Sequence, residues 1–336
     1  MLKVSDISEF DLINRLEHVL KKGATGIPGS YIETAIGDDA AVILPINSTQ
    51  VVTTDTMVED VHFKCDTTTM VELGWKAIAV NYSDIAAMGC LPIYSVITLG
   101  LKPDQFVQDI EDIYKGFTKI SNSYGGEVVG GDVVKSDTFF ISVTVVGQSS
   151  SGNILKRNNA KVGDLIGITG HIGCSSAGLE VLQCSNPMDR ETQKHLIKAH
   201  NTPKPKLHDG QILASHGIKT AMDISDGLIN DLKKICESSG VGAQIKTQDL
   251  PIDEHLKRAF PERHLEFAVS GGEDYELLFT GSEETMRSLK DQLKIEFNLI
   301  GSIHEGDPKV TVIDSEGAIL DINEGGWDHF SSGKVT

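Results

Sequence analysis

The sequence is short of positive charge and has no long apolar run. Its 336 residues include 30 Lys and Arg against 48 Asp and Glu, so the formal net charge is -18. Because nucleic-acid binding requires clustered Lys and Arg, this balance argues against DNA or RNA as a partner. No apolar run approaches the roughly 18 residues that a membrane-spanning helix needs. We therefore expect neither nucleic acid nor membrane among the partners.

Cysteine pairs are also missing. The odd number and wide spacing of the cysteines, with no C-x-x-C, favour reduced thiols over a disulfide framework or a zinc site. The N-terminal stretch MLKVSDISEFDLINRL predicts an amphipathic helix without the apolar centre of a secretory signal. We expect a soluble, cytoplasmic protein. The cysteines are Cys65, Cys90, Cys174, Cys184 and Cys236.

The common nucleotide-binding signatures are absent as well. The chain has no G-x-x-x-x-G-K-S/T loop, no G-x-G-x-x-G after a strand and no kinase loop of the H-R-D type. A protein this acidic can still hold phosphates if divalent cations lie between them and its carboxylates. Any phosphate chemistry in this chain should therefore depend strictly on metal.

Short β-branched runs alternate with helical patterns, which predicts an α/β protein with mixed sheets. The length allows two domains, at about 150 residues per domain. The Ser, Gly and Asn residues of 149–164 indicate a boundary between them. We predict an N-terminal domain over 1–150 and a C-terminal domain over 151–336. The predicted strands of the first domain are QVVTTDT, IYSVITLGL, GEVVGGD and TFFISVTVVGQ, and helices of the second are expected near 174–184, 190–200, 205–216 and 227–239.

Aspartates recur where a predicted strand meets a turn or a small residue. Each one alone is better explained as a turn or helix N-cap residue, but the whole set in apolar sequence is harder to explain that way. Carboxylates brought together repel and keep their protons unless cations neutralise them. Oxygen-only ligands, with the hydroxyls of Thr54 and Ser225 nearby, suit Mg²⁺ rather than zinc. The aspartates are Asp38, Asp55, Asp84, Asp132, Asp223 and Asp226.

The glycine pair in VVGGD, residues 128–132, has two interpretations. Gly130 and Gly131 can form a plain turn, or they can let a phosphate approach the backbone before Asp132 reaches a metal ion. The motif alone does not decide between them.

Several motifs together, in order from near residue 8 to residue 330, resemble the thiamine-monophosphate kinases. That family belongs to the superfamily of aminoimidazole ribonucleotide synthetase, selenophosphate synthetase and a hydrogenase maturation factor. Those relatives share the aspartates but not GGEDYEL with WDHF. The motifs are SEFDLI, IGDDAAVI, TTDTMVEDVHF, KAIAVNYSDIAAMG, VVGGD, MDISDGL, SGGEDYELLFT and GGWDHF.

The resemblance implies a two-domain fold like that of aminoimidazole ribonucleotide synthetase, with a homodimer whose N-terminal sheets form a barrel. It implies that ATP phosphorylates thiamine monophosphate to thiamine diphosphate, the last step of thiamine diphosphate synthesis, with several Mg²⁺ ions. By position, the metal ligands would be Asp38, Thr53, Thr54, Asp55, Asp84, Asp132, Asp223 and Asp226. ATP would contact Thr54, Tyr114, Gly131, Asp132, Arg157 and Ser225, and thiamine monophosphate would contact His62, Glu273 and Trp327.

The implied acceptor is a phosphate monoester. Its second pKa of about 6 makes it largely a dianion near neutral pH, so no general base is required. Catalysis would then be positioning and charge neutralisation during an in-line transfer. The ligands come from both halves of the chain, which suggests a cleft between the domains. The carboxylates expected to act in catalysis are Asp55, Asp84, Asp132 and Asp226.

Simpler roles stay open for three of the contact residues. His62 can be a strand-end residue that bonds the backbone, and Arg157 can be a solvated linker residue. Trp327 can pack the tail of the chain, or it can stack on the cationic thiamine.

Two positions depart from the family pattern, since Asp60 stands where Gly is usual and Cys174 where Asp is usual. They bear on loop geometry and helix capping.

Two alternatives to the kinase are another ATP-using member of the superfamily and a non-catalytic nucleotide-binding relative. So many carboxylates argue against the second, and the lack of a Cys before Cys65 argues against a selenophosphate synthetase.

Overall fold

The computed structural model describes residues 1–23, 31–36, 40–184, 187–293 and 295–320. The chain divides into two compact units. The first consists of Met1–Ile154 with Asn201–Ser215, and the second of Leu155–His200 with His216–Thr336. The segment Asn201–Ser215 therefore packs with the N-terminal unit. The predicted domains, 1–150 and 151–336, assigned this segment to the C-terminal domain.

Helices and strands alternate along the described residues, which confirms the predicted α/β class with mixed sheets. Up to residue 154 the elements are α1 (Glu9–Gly23), β1 (Ile32–Thr34), β2 (Val42–Ile43), β3 (Gln50–Val58), α2 (Met70–Ala87), β4 (Leu91–Leu101), α3 (Val107–Tyr124), β5 (Glu127–Lys135) and β6 (Phe140–Gln148). They are followed by β7 (Leu165–Thr169), α4 (Cys174–Gln183), α5 (Arg190–Asn201), α6 (Leu207–Ser215), β8 (Thr220–Asp223), α7 (Leu228–Ser239), β9 (Gly242–Lys246), α8 (Glu254–Ala259), α9 (His264–Ser270), β10 (Leu277–Gly281), α10 (Glu283–Leu293), β11 (Phe297–His304) and β12 (Val310–Ile313).

The first unit is built on a four-stranded sheet in the order β3-β6-β4-β5. Strands β4 and β5 are parallel, and the other two pairs are antiparallel. Helix α2 packs on one face of this sheet, and α3 packs on α2. The opposite face carries Val52, Val96 and Val134, which are 70%, 37% and 39% exposed. The sheet is therefore covered on one face only by the described residues of its own unit.

Helix α2 positions one of the predicted site residues, Asp84, beside the sheet. The helix begins with a capping box, in which the Thr69 side chain accepts the Glu72 N–H and the Glu72 carboxylate accepts the Thr69 N–H. Ile78 and Ile85 then follow at helical spacing and are fully buried. This packing fixes the rotation of α2, and with it the direction of Asp84.

The second unit is built on a six-stranded sheet in the order β12-β9-β11-β7-β10-β8. The pairs are antiparallel except for β12 with β9. Strand β8 is buried at every position and ends at Asp223, and α7 begins five residues later at Leu228. The predicted site residues of this unit therefore lie at a strand-to-helix connection. No helix in the described part of the chain is both long enough and apolar enough to cross a bilayer.

Candidate active site

Three of the predicted metal ligands meet where β3 runs beside α2. The Thr53 hydroxyl donates a hydrogen bond to Asp84 Oδ2. Asp55 shares the α2-facing side of β3 with Thr53, because the two residues are two positions apart on one strand. Asp55 keeps an exposed side, but partial burial of its carboxylate, and then the charge of Asp84, raise its pKa to about 6.

The donor set at Asp55 and Asp84 suits Mg²⁺. All of its atoms are oxygens from carboxylates and one hydroxyl, which a hard divalent cation prefers. Burial raises the pKa of Asp55 most, and repulsion by the negative charge of Asp84 raises it further. A cation between them would remove that repulsion, so these residues fit the magnesium ion that the sequence predicts.

The side chain of Thr54 lies on the opposite face of β3 from Asp55. Its hydroxyl donates to the carbonyl of Val143 at 3.1 Å and accepts a hydrogen bond from Thr144 Oγ1 at 3.0 Å. On the side of β3 that carries Asp55, Thr54 therefore presents only backbone atoms. Any contact of Thr54 with metal or ATP on that side would be made by its backbone.

Asp132 lies on β5, at the opposite edge of the sheet from Asp55. The strand register aligns Asp132 with Thr98, Ser142 and Thr56, whose side chains lie on the uncovered face. Three strand spacings separate the two edges, or about 14 Å along the sheet. Within one chain, Asp132 is therefore not brought together with Asp55 and Asp84.

In the second unit, the predicted residues Ser225 and Glu273 are joined by the backbone. The Glu273 N–H donates to the Ser225 carbonyl at 2.8 Å, and the Tyr275 N–H donates to the Ile224 carbonyl at 2.9 Å. Glu273 and Tyr275 both have positive φ angles, 64° and 53°, which are uncommon outside glycine and persist where neighbouring contacts impose them. These bonds hold residues 270–274 (SGGED) against the β8–α7 connection, which contains Ser225 and Asp226 and follows Asp223.

Asp231 and Lys234, which the sequence analysis does not identify, organise this connection. Asp231 is fully buried, and its Oδ2 accepts the N–H groups of Ser225 and Asp226 at 3.0 and 2.9 Å. The Lys234 ammonium contacts Asp226 at 2.5 Å and Asp231 at 2.8 Å. Burial alone would lower the pKa of Lys234, but these two carboxylates outweigh it and raise the pKa. The i,i+3 spacing of Asp231 and Lys234 in the first turns of α7 is the sequence signal that could have identified them.

Glu273 is surrounded by polar groups of α4 and α5 and of its own segment. His200 Nδ1 lies 3.4 Å from Glu273 Oε2 and 3.2 Å from Ser175 Oγ. Asp274 accepts the N–H groups of Gly173 at 2.6 Å and Ser175 at 3.1 Å, and thereby caps the start of α4. Burial raises the pKa of Asp274 to about 8, against the opposing effect of those two N–H donors.

The other predicted contacts occupy different surroundings. His62 Nδ1 accepts the Val58 N–H at 3.0 Å, which is the strand-end role left open by the sequence. Tyr114 is only 5% exposed and packs edge-on against Phe117. Arg157 is exposed. Asp38 and Trp327 lie outside the described residues.

The comparisons with known proteins agree with one another. The family model described as "AIR synthase related protein, N-terminal domain" matches residues 37–149, and its C-terminal counterpart matches 161–313. The thiamine-monophosphate kinase of Bacillus subtilis (strain 168) is 33% identical over 331 residues, which are 96% of this chain and 100% of that protein. The chain belongs to the thiamine-monophosphate kinase family. It is therefore an enzyme of that kinase class, and the chain has the two-domain α/β fold that the resemblance implies.

Solved thiamine-monophosphate kinases have the same fold. The crystal structure of the enzyme from Stenotrophomonas maltophilia K279a matches with a TM-score of 0.80 at 31% identity, covering 94% of this chain and 98% of that one. The structure named "AaThiL complexed with AMPPCP and TMP" matches with a TM-score of 0.76 at 32% identity, covering 98% and 99%.

The two departures from the thiamine-monophosphate kinase pattern have local explanations. Asp60 has a φ of 63°, in the left-handed region where glycine is free of strain and Asp is tolerated better than most residues. Cys174 is the first residue of α4. An Asp there is not needed as the cap, because Asp274 supplies the carboxylate from a distant part of the sequence.

Proposed function

We propose that this enzyme transfers the γ-phosphoryl group of ATP directly to the phosphate of thiamine monophosphate, giving ADP and thiamine diphosphate. The observation that carries the proposal is the Thr53, Asp55 and Asp84 cluster, whose repelling carboxylates favour a divalent cation. Family membership supports it, because AaThiL is named as complexed with AMPPCP and TMP.

Asp55 and Asp84 would hold Mg²⁺ in the first unit, and Asp223 and Asp226 would hold it in the second. Bound there, magnesium supplies charge neutralisation for the phosphate oxygens. In the absence of the ion, Lys234 neutralises Asp226. Asp231 keeps the backbone of Ser225 and Asp226 in position whether or not an ion is bound. It accepts the N–H groups of these two residues and leaves the Asp226 carboxylate available for the ion.

The acceptor phosphate needs no residue to remove a proton from it, since it is largely dianionic above a pKa of about 6. A direct in-line transfer inverts the configuration at phosphorus. His62 is not proposed as a phosphorylated intermediate, because its Nδ1 is engaged by the Val58 backbone. Transfer from a chirally labelled γ-thiophosphate with retention of configuration would refute the direct step.

The cationic thiamine part of the acceptor would be recognised by Glu273 and Trp327. Glu273 supplies opposite charge from a backbone that two hydrogen bonds hold against the connection after β8. Trp327 would supply an aromatic face for the cation. The proposed contacts of Tyr114, Gly131 and Arg157 with ATP have less support, since Tyr114 is buried in the helical layer.

We further propose that the enzyme is a homodimer. Asp132 and the exposed valines share the uncovered face of the four-stranded sheet. A second copy packed on that face would close the two sheets into the predicted barrel and cover Val52, Val96 and Val134. Light scattering that gives the mass of one chain at micromolar concentration would refute the dimer.

The function is tested by measuring ADP release with ATP and Mg²⁺ while thiamine monophosphate, free thiamine and formylglycinamidine ribonucleotide are offered separately. We expect ADP and thiamine diphosphate only from the monophosphate, with the product verified by mass. Turnover of free thiamine would contradict the mechanism without a base. Turnover of the ribonucleotide would assign the enzyme to the synthetase branch of the superfamily.

Magnesium should stabilise the ligand-free protein in a pH-dependent way. The folded-state pKa of Asp55, about 6, lies above its ordinary value of 3.8. The folded protein therefore keeps this proton below about pH 6, and above it the ionised pair destabilises the fold unless a cation is bound. We expect Mg²⁺ to raise Tm at about pH 7.5 and to lose most of this effect near pH 5. An equal magnesium effect at both pH values would contradict the assignment, and Asp55→Asn should remove the difference.

A further inference from the structure

Three side chains with different donor atoms, none of which has a role in the proposed reaction, converge in the second unit. Cys174 begins α4 and is 6% exposed, His195 lies on α5, and Asp253 is the N-cap of α8. One sulfur, one imidazole nitrogen and one carboxylate oxygen, each from a different residue, lie within 4.8 Å of one another. Among them, His195 Nε2 lies 3.3 Å from Asp253 Oδ2.

The backbone holds two of these residues close together. Ile172 and Ile252 form a parallel bridge, with the Ile172 N–H donating to the Pro251 carbonyl at 3.0 Å. Cys174 lies two residues after Ile172, and Asp253 lies one residue after Ile252. Their proximity therefore comes from regular backbone pairing and not from flexible side chains.

Hydrogen bonding and stacking orient the other donors. Asp253 Oδ1 accepts the His255 N–H at 2.7 Å, while Oδ2 faces His195. The rings of His195 and His255 stack at 4.5 Å with an interplanar angle of 26°. This stacking restrains the orientation of the His195 ring beside Asp253.

The donor types suit a zinc ion. Zn²⁺ binds Cys sulfur at about 2.3 Å and His nitrogen or carboxylate oxygen at about 2.0 to 2.2 Å, so ligand atoms in a tetrahedron lie about 3.3 to 3.7 Å apart. The His195–Asp253 separation already has this value. A thiolate and a carboxylate together carry two negative charges, which one divalent ion neutralises. Mg²⁺ would be disfavoured, because it prefers oxygen ligands only.

We propose that Cys174, His195 and Asp253 bind a divalent transition-metal ion of the zinc class. The ion connects the beginnings of α4 and α8 to α5, with water in a fourth position, and stabilises the second unit without contacting the phosphates. It is independent of the proposed Mg²⁺ sites, which offer oxygen ligands.

The test is a Co²⁺ titration of the full-length protein after chelation, in excess Mg²⁺ so that the all-oxygen sites are filled. Tetrahedral Co²⁺ with a thiolate ligand gives a near-ultraviolet sulfur-to-metal charge-transfer band, which oxygen sites do not give. We expect this band to saturate at one Co²⁺ per chain and to be displaced by Zn²⁺. Zn²⁺ should also raise Tm by about 5–10 °C at saturating concentration.

Two variants and one control separate the site from other cysteines. Cys174→Asp should abolish the band, and His195→Ala should weaken Co²⁺ binding by more than about 100-fold, since loss of an outer partner alone costs about 10- to 100-fold. His195 is 43% exposed, so its replacement should leave the fold intact even if the buried Cys174 position does not tolerate a change. Cys184→Ser, at an exposed cysteine ten residues away, should bind Co²⁺ as the unmodified protein does.

Each other result overturns the proposal. Absence of the band in the unmodified protein would show that the three donors do not form a metal site. A band that persists in Cys174→Asp would assign the thiolate to another cysteine. Unchanged Co²⁺ affinity in His195→Ala would show that the His195–Asp253 contact is an ordinary surface ion pair.

Discussion

Asp55→Asn should reduce kcat by about 100- to 1,000-fold or more, and excess Mg²⁺ should not restore it. The substitution keeps the shape of the side chain but replaces a charged oxygen ligand by a neutral amide. It also removes an ionisable group whose pKa is raised by burial and, to a smaller extent, by the charge of Asp84. The metal-free variant should therefore be at least as stable as the unmodified protein while being nearly inactive. Steady-state kinetics over a range of Mg²⁺ concentrations, with Tm measured in chelator, tests both results.

Asp137→Asn is the matched control for Asp55→Asn. Asp137 is an exposed aspartate in the turn between β5 and β6 of the same unit, and it has no proposed role with metal or substrate. Its replacement changes the net charge equally and should leave kcat within about twofold, as expected for a surface substitution. Near-normal turnover of Asp55→Asn would show that the metal assignment at β3 is wrong. A large loss of stability would show that Asp55 has a structural role instead.

Gly131→Ala should destabilise the protein by about 3 kcal/mol or more, which corresponds to a Tm lower by about 6–12 °C. A Cβ at this position would lie 1.8 Å from the carbonyl oxygen of Ile97 on β4, and that backbone atom cannot move without disrupting the β4–β5 pair. The glycine is thus required for the close approach of two strands. Urea or thermal unfolding measures the effect.

Gly130→Ala is the matched control for Gly131→Ala. A Cβ there would meet only Val96 Cγ1 at 3.8 Å, an ordinary contact, so we expect a change within about 1 kcal/mol. If Gly131→Ala instead folds with normal stability and raises only the KM for ATP, then Gly131 serves the nucleotide and not the sheet. That result would support the second interpretation of the VVGGD motif, approach of a phosphate to the backbone. The first interpretation, a plain turn, is wrong because Gly130 and Gly131 lie inside β5.

Elements with a strong local signal were predicted well. The alternation of β-branched residues predicted β3, β4, β5 and β6, and all four form one sheet. The helical patterns near 174–184, 190–200, 205–216 and 227–239 correspond to α4, α5, α6 and α7. Local periodicity was sufficient because each of these elements buries one consistent face. The amphipathic α3, by contrast, was not assigned although it spans 18 residues, and β11 was also missed.

The recurring aspartates predicted a magnesium site, and the metal stays a prediction. The structure does bring Asp55 and Asp84 together, beside Thr53. The alternation of side chains along a strand already implies that Thr54 faces away from Asp55. Which of the two faces α2 covers is known only from the tertiary structure. The sequence also did not indicate the role of Asp231 in the site. That role depends on the buried Asp231 carboxylate accepting the backbone N–H groups of Ser225 and Asp226.

The sequence by itself determined the α/β class, the family and the types of ligand atom available, since these depend on residue identity and order. Only the tertiary structure decided which of those atoms meet. Strand order placed Asp132 at the opposite edge of the sheet from Asp55. Parallel pairing of Ile172 with Ile252 brought Cys174 near Asp253, 79 positions later. Such contacts join residues that are distant in the chain, so neither spacing nor periodicity carries a signal for them.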